Sequence, residues 1–202
     1  IARSATVNSG GTQTISSGGI ASATTVNSGG TQTVSSGGIA SATTVSSGGA
    51  VYVSSGGSSY YTQIQSGGNE YILSGGYGPS ATISSGGTQT IAYGGVDSAS
   101  TIQAGGLQIV SGTAQAAVVS GSQSILSGGV ASAATVNSGG TQTVSSGGIA
   151  SSTSINNGGA VYVSSGGIAS STSINSGGVE TVASGGIASA TTVSSGGFQT
   201  VA

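Results

Sequence analysis

Pairs of adjacent glycines punctuate this chain at intervals of 8 and then 11 residues. They fall at Gly10-Gly11, Gly18-Gly19, Gly29-Gly30, Gly37-Gly38 and onward to Gly105-Gly106, and again from Gly128-Gly129 to Gly196-Gly197. The two intervals make a 19-residue unit, clearest from Ile20 to Gly38. A period of this length held for about ten units predicts a solenoid before any other fold. A helix is excluded by the same glycines, each costing a helix interior roughly 1 kcal/mol. As corner residues they reach positive φ at little steric cost.

Between the corners, Val and Ile return every 19 residues. One column contains Val7, Val26, Val45, Ile64, Ile83 and Ile102, and resumes at Val136, Ile155, Ile174 and Val193. A second runs through Ile15, Val34, Val53, Ile72, Ile91 and Val110 to Val144, Val163, Val182 and Val201. A third, just after a Gly-Gly, holds Ile20, Ile39, Val96, Val130, Ile149, Ile168 and Ile187, with Ser58 and Tyr77 interrupting it. One inward apolar residue on each of three sides predicts a triangular core with short Val-, Ile- and Thr-rich strands. The expected architecture is all-β: a right-handed parallel β-helix of about ten coils. With coils about 4.8 Å apart, it forms a rod roughly 50 Å long. Residues 1–202 read as a single solenoid unit whose rhythm degrades only at 107–127. There Ser111-Gly112-Thr113 and Ser120-Gly121-Ser122 stand in place of Gly-Gly pairs, which predicts a short coil with a kink. Ile1 is not an initiator Met, so the segment is expected to come from a longer protein.

Chemistry is sparse. Charged residues are 2% of the chain, with a net charge of −2. Nucleic-acid binding, which needs clustered Lys and Arg, is excluded on that ground. Histidine and cysteine are absent, which removes His-activated nucleophiles and Cys–His pairs. The three carboxylates, Glu70, Asp97 and Glu180, are expected in different coils, far apart along the rod and unable to act as a pair. The glycines lack the following Lys or helix of a phosphate loop. No enzyme, no metal site and no cofactor is expected.

Two surface features remain. A Thr/Tyr stripe one residue before the second column, Thr33, Tyr52, Tyr71, Thr90, Thr143 and Tyr162, faces outward by strand alternation. It reads either as β-propensity on a solvated face or as a self-association stripe of hydroxyls and rings. T-x-T spacing also suggests ice binding, a distant third reading that Tyr52, Tyr71 and Tyr162 disrupt. The second feature is serine. Ser22, Ser41, Ser98, Ser132, Ser151, Ser170 and Ser189 form one column, assigned to the third corner of the triangle. Ser17, Ser36, Ser55, Ser74, Ser146, Ser165 and Ser184 form another before a Gly-Gly pair. Either set reads as ordinary turn residues or as glycosyl acceptors. With no N-x-[ST] sequon, any glycan would be O-linked.

The unit S-x-T-x-V-x-x-G-G-x-x-x-V-x-x-G-G, as in Ser22 to Gly38, resembles the 19-residue repeat of the AIDA-type, TibA-like self-associating autotransporter adhesins. The resemblance covers the whole chain except 107–127. It implies the extracellular passenger of a Gram-negative protein anchored in the outer membrane. Adhesion to host cells, autoaggregation and biofilm formation would follow, with serine O-heptosylation by a heptosyltransferase. The implied partners are that heptosyltransferase, like passenger domains on neighbouring cells and the host cell surface. An inert stalk presenting a distal binding domain is the alternative reading.

Overall fold

A computed structural model describes residues 1–202. It is entirely β, with 33 short strands arranged as three parallel sheets of 11 strands each. Every third strand in sequence joins the same sheet, so each coil contributes one strand to each face of a triangular rod. One coil shows the plan. Ile39–Ser41 lies in the first sheet (sheet A), Thr44–Val45 in the second (sheet B) and Ala50–Val53 in the third (sheet C). In the regular coils the register is 19 residues, with Val26 beside Val45 and Val34 beside Val53.

Each Gly-Gly corner needs both glycines, for different reasons. Gly48 sits at φ +74°, the left-handed region. Gly49 has an ordinary φ, but a Cβ there would come 2.5 Å from the carbonyl oxygen of Val26 in the coil beneath. The third corner, between sheets A and B, uses no glycine. Ala23, Ala42, Tyr61, Ser80 and Ser152 adopt positive φ there instead. Ser22 and its equivalents therefore do not form that corner. They end the strands of sheet A and pair directly, Ser22 with Ser41 and Ser151 with Ser170.

Two of the three expected apolar columns fill the core. Val26, Val45, Ile64 and Ile83 from sheet B, and Val34, Val53, Ile72 and Ile91 from sheet C, are wholly buried. The third column does not. In sheet A the inward residue is the small one, Ala21, Ala40, Ala114, Ala131, Ala150 or Ala169, while Ile20 and Ile149 stand outside, 36% and 37% exposed. The reason is steric. A strand of pattern I-A-S can turn either one residue or two residues inward. Only the one-residue choice, with Ala, fits a core already crossed by the side chains of sheet C.

Those side chains form an unexpected polar spine. The second residue of each sheet C strand points inward, and in seven of the 11 strands it is a buried polar residue, Gln32, Glu70, Gln89, Gln108, Gln123, Gln142 or Glu180. The irregular stretch keeps this order. Gln108 pairs with Gln123 fifteen residues on, and the three strands between 113 and 125 remain in register with their neighbours. Only the two corners at Ser111-Gly112 and Ser120-Gly121 are shortened.

Candidate functional site

The spine is a ladder of amides. Gln142 Nε2 donates to Gln123 Oε1 at 2.6 Å, Gln123 Nε2 to Gln108 Oε1 at 2.7 Å, and Gln108 Nε2 to Gln89 Oε1 at 2.7 Å. Gln89 Nε2 closes the run on Glu70 Oε2 at 2.9 Å. All donors point the same way, so the run begins on a carboxylate, and the hydroxyl of Thr153 caps its other end at Gln142 Oε1, 3.2 Å away. Val51 and Val161 interrupt the column and divide it into segments. Buried amides are costly unless paired, and this geometry pairs them.

Glu70 and Asp97 are not far apart. Gln89 follows Glu70 by one coil and precedes Asp97 by 8 residues, so its Nε2 donates to Glu70 Oε2 at 2.9 Å and to Asp97 Oδ1 at 3.2 Å. Winding brings residues 8, 11 and 19 apart into contact, which linear separation hides. Asp97 also accepts from Ser100 Oγ at 2.6 Å and Gln108 Nε2 at 3.1 Å. Glu70 accepts from Ser59 Oγ and Thr62 Oγ1. Burial pushes the Asp97 carboxyl up to about 7, against the hydrogen bond from Ser100 and with help from the Glu70 charge. Burial raises Glu70 as well, opposed by hydrogen bonds from Ser59, Thr62 and Gln89. Both side chains are completely enclosed, so no substrate can reach them, and the pair is structural.

With Glu70, Asp97 and Glu180 inside, Arg3 is the only charged side chain on the outer surface. The surface is otherwise hydroxyl, amide and apolar. On sheet C the Thr/Tyr stripe faces outward as expected. Thr33, Tyr52, Tyr71 and Thr90 are neighbours in register, as are Thr143 and Tyr162. Ile109 and Ser124 connect the two parts of the column. The rings of Tyr52 and Tyr71 stack with centroids 4.9 Å apart and planes 9° from parallel, and Tyr162 is 46% exposed.

The serine columns differ in access. Ser17, Ser36, Ser55, Ser74, Ser146, Ser165 and Ser184 are all exposed at the corner between sheets C and A. Ser22, Ser41, Ser98, Ser132, Ser151 and Ser170 are half-buried along the edge of sheet A, and only Ser189 is exposed. The Ser98 hydroxyl also bonds the Tyr77 hydroxyl at 2.9 Å. At many of these corners it is glycine in the next coil that leaves the serine hydroxyl its space. A Cβ on Gly94 would meet Ser74 Oγ at 2.7 Å, and one on Gly166 would meet Ser146 Oγ at 2.6 Å. The corner between sheets B and C carries a third such column, Ser9, Ser28, Ser47, Ser66, Ser85, Ser138, Ser176 and Ser195, all exposed. Its signal is the same S-G-G motif, present at both glycine corners.

A repetitive β-solenoid with one exposed charge and columns of exposed serines is the class of structure that this chain builds, and comparison with known proteins narrows it. Residues 1–49 and 155–197 match the family model described as "Adhesin of bacterial autotransporter system, probable stalk". A solved structure, the TibC-catalysed hyper-glycosylated fragment of TibA, is 37% identical, with a TM-score of 0.65 over 99% of this chain and 88% of that one. A search of curated proteins finds no match. The chain belongs to the AIDA-type, TibA-like family of autotransporter adhesins.

Proposed function

We propose that this rod is a non-enzymatic adhesin passenger segment that accepts serine-linked heptose. It would sit on the cell surface as part of a protein anchored in the outer membrane, mediating adhesion, autoaggregation and biofilm formation. The observation that carries the acceptor reading is the set of exposed serine columns, recurring beside glycine in most coils, on a rod similar to a hyper-glycosylated TibA fragment. A transferase needs a hydroxyl it can surround. The pre-Gly-Gly columns at both glycine corners offer that, and the half-buried Ser22 column offers it less. Co-expression with a heptosyltransferase is expected to raise the intact mass by multiples of one heptose residue. Peptide mapping should place the sugars on Ser36, Ser55, Ser74 and their equivalents ahead of Ser41 and Ser151. An unchanged mass would end the acceptor reading.

Self-association through the Thr33, Tyr52, Tyr71, Thr90, Thr143 and Tyr162 stripe is supported by its flat register and stacked rings. A near-neutral surface lets like rods approach with little repulsion. The family description as a stalk favours a second reading, in which the rod only holds a distal domain away from the cell. Beads coated with this segment distinguish the two. Clumping supports contact between rods, and beads that stay dispersed support the stalk.

A further inference from the structure

The shortened corner between sheets C and A leaves a notch in that edge of the rod. At Ser111-Gly112 the chain turns straight back, with both N–H groups on the Ile91 carbonyl at 2.8 and 3.0 Å. Regular corners are linked from coil to coil instead. Gly75 N–H donates to Gly94 O at 2.8 Å, and Gly128 N–H to Gly147 O at 3.0 Å. With no full corner between them, the Gly94 N–H and the Gly128 carbonyl have no protein partner, and by the geometry of the regular corners both point into the gap. The coil above does not sink to close it. A Cβ on Gly128 would find only the Ser111 carbonyl oxygen, at 3.9 Å, whereas one on Gly94 would meet Ser74 Oγ at 2.7 Å. The side chains on the rim change as well. The two residues before the glycines of this edge are commonly serines, as at Ser54-Ser55 and Ser145-Ser146. Directly below the notch they are Ala92-Tyr93, and directly above it Leu126-Ser127. Tyr93 is 81% exposed and Leu126 38% exposed. An open ring, an aliphatic side chain and two unpaired backbone groups thus meet at the one place where this edge is interrupted.

We propose that this notch binds one residue of an uncharged glycan carried by a surface the rod touches. The gap is one coil high, about 4.8 Å, which admits a single saturated ring lying flat. Tyr93 offers a ring face, whose negative quadrupole attracts the weakly positive C–H groups on one side of a pyranose. A hydroxyl both donates and accepts, so neighbouring sugar hydroxyls can accept from Gly94 N–H and donate to Gly128 O. Charge selects against an anionic glycan. Arg3, the one exposed charged side chain, lies in the first coil, and no cation borders the notch. A peptide anchored by an apolar side chain needs a pocket to enclose it, and the rod's one cavity is lined by Ile1, Ile15 and Ile20 at the other end of this region. A single contact this small is weak, so binding gains from many rods displayed together. The notch supplies a ligand class for the adhesin reading above and rests on that reading for its biological use.

The test places beads coated with unmodified rod on an array of immobilised oligosaccharides ending in glucose, galactose, mannose or N-acetylglucosamine, with sialylated and sulfated forms alongside. Two variants are compared with it. Tyr93→Ser with Leu126→Ser installs the serines usual at this edge, and insertion of Ser-Gly after Ser111 restores the missing Ser-Ser-Gly-Gly corner. Circular dichroism confirms that each keeps its sheet; if the insertion does not fold, the double serine variant decides alone. The unmodified rod is expected to bind at least one neutral terminus, and the variants to bind it at least tenfold less. Failure to bind any neutral oligosaccharide, or binding to the charged forms alone, would overturn the proposal, as would a folded variant that binds equally well. Beads that adhere to cells yet bind no neutral oligosaccharide would overturn the notch while leaving the adhesin reading in place. Adhesion that the variants lose, that protease treatment of the cells removes and that enzymatic deglycosylation spares would assign the notch to a peptide and overturn the proposal too.

Discussion

The rod is expected to melt at a clearly higher temperature near pH 4 than near pH 8, the reverse of what paired surface carboxylates produce. Asp97 has no cation beside it. Its surroundings are Ser100, Gln89 and Gln108 as hydrogen-bond donors, Gly78 and Ala114 on the adjoining strands, and Glu70 as the other titratable group. Its carboxyl rises from 3.8 in the open chain to about 7 in the rod, so between these values the folded state holds a proton that the unfolded chain releases. Stability therefore falls as pH rises through this window. The contribution is fully present below about pH 4 and lost above about pH 7. At 1.36 kcal/mol per pH unit the difference is on the order of 4 kcal/mol. Glu70 shifts in the same direction and adds to it. Asp97→Ala, which installs the residue found at Ala40, Ala114 and Ala131 in the same column, is expected to flatten the profile and raise the melting temperature near pH 8. A melting temperature that climbs with pH in the parent rod would contradict this account of the core.

Breaking the amide ladder in the middle should have a comparable effect. Gln108 serves three partners. It donates to Gln89 Oε1 and Asp97 Oδ2, and it accepts from Gln123 Nε2. Gln108→Val copies Val51 and Val161, but in coils whose neighbours are built to bond an amide. It leaves three buried polar atoms without a partner, at about 1–3 kcal/mol each, so a loss of roughly 3–9 kcal/mol in denaturant unfolding is expected. Ile109→Ser, one residue along the same strand and facing out, provides the control. Ser124 already occupies that column in the next coil, and a change within about 0.5 kcal/mol is expected. Equal losses at the two positions would mean that the spine does not carry the stability assigned to it.

Much of this architecture is legible in the sequence because glycine spacing fixes the corners. Once Gly48-Gly49 and Gly56-Gly57 are corners, Val45 and Val53 have only one direction to point. The sheet A strand is less legible. In Ile39-Ala40-Ser41, size suggests an inward Ile, and only the filling of the core by Gln32 and its neighbours reverses that choice. The glutamines themselves were within reach, since the alternation that turns Thr33 outward and Val34 inward also turns Gln32 inward. Composition obscures this, because an amide inside a narrow core is rare unless a stack of like residues pairs it. The meeting of Glu70 with Asp97 requires contacts between successive coils, which no local pattern encodes. The open serine columns are legible as motifs, but their access depends on the glycine of the next coil.

The direction of the sheet A strand underlies both the core and the aliphatic face, and thiol labelling tests it directly. The chain has no cysteine of its own, so single substitutions give an unambiguous signal. Ile149→Cys is expected to react with a maleimide at the rate of an exposed thiol. Ala150→Cys, at a position 1% exposed, should react only as fast as the rod opens. Fast labelling at position 150 with protection at 149 would invert sheet A and return the aliphatic column to the core.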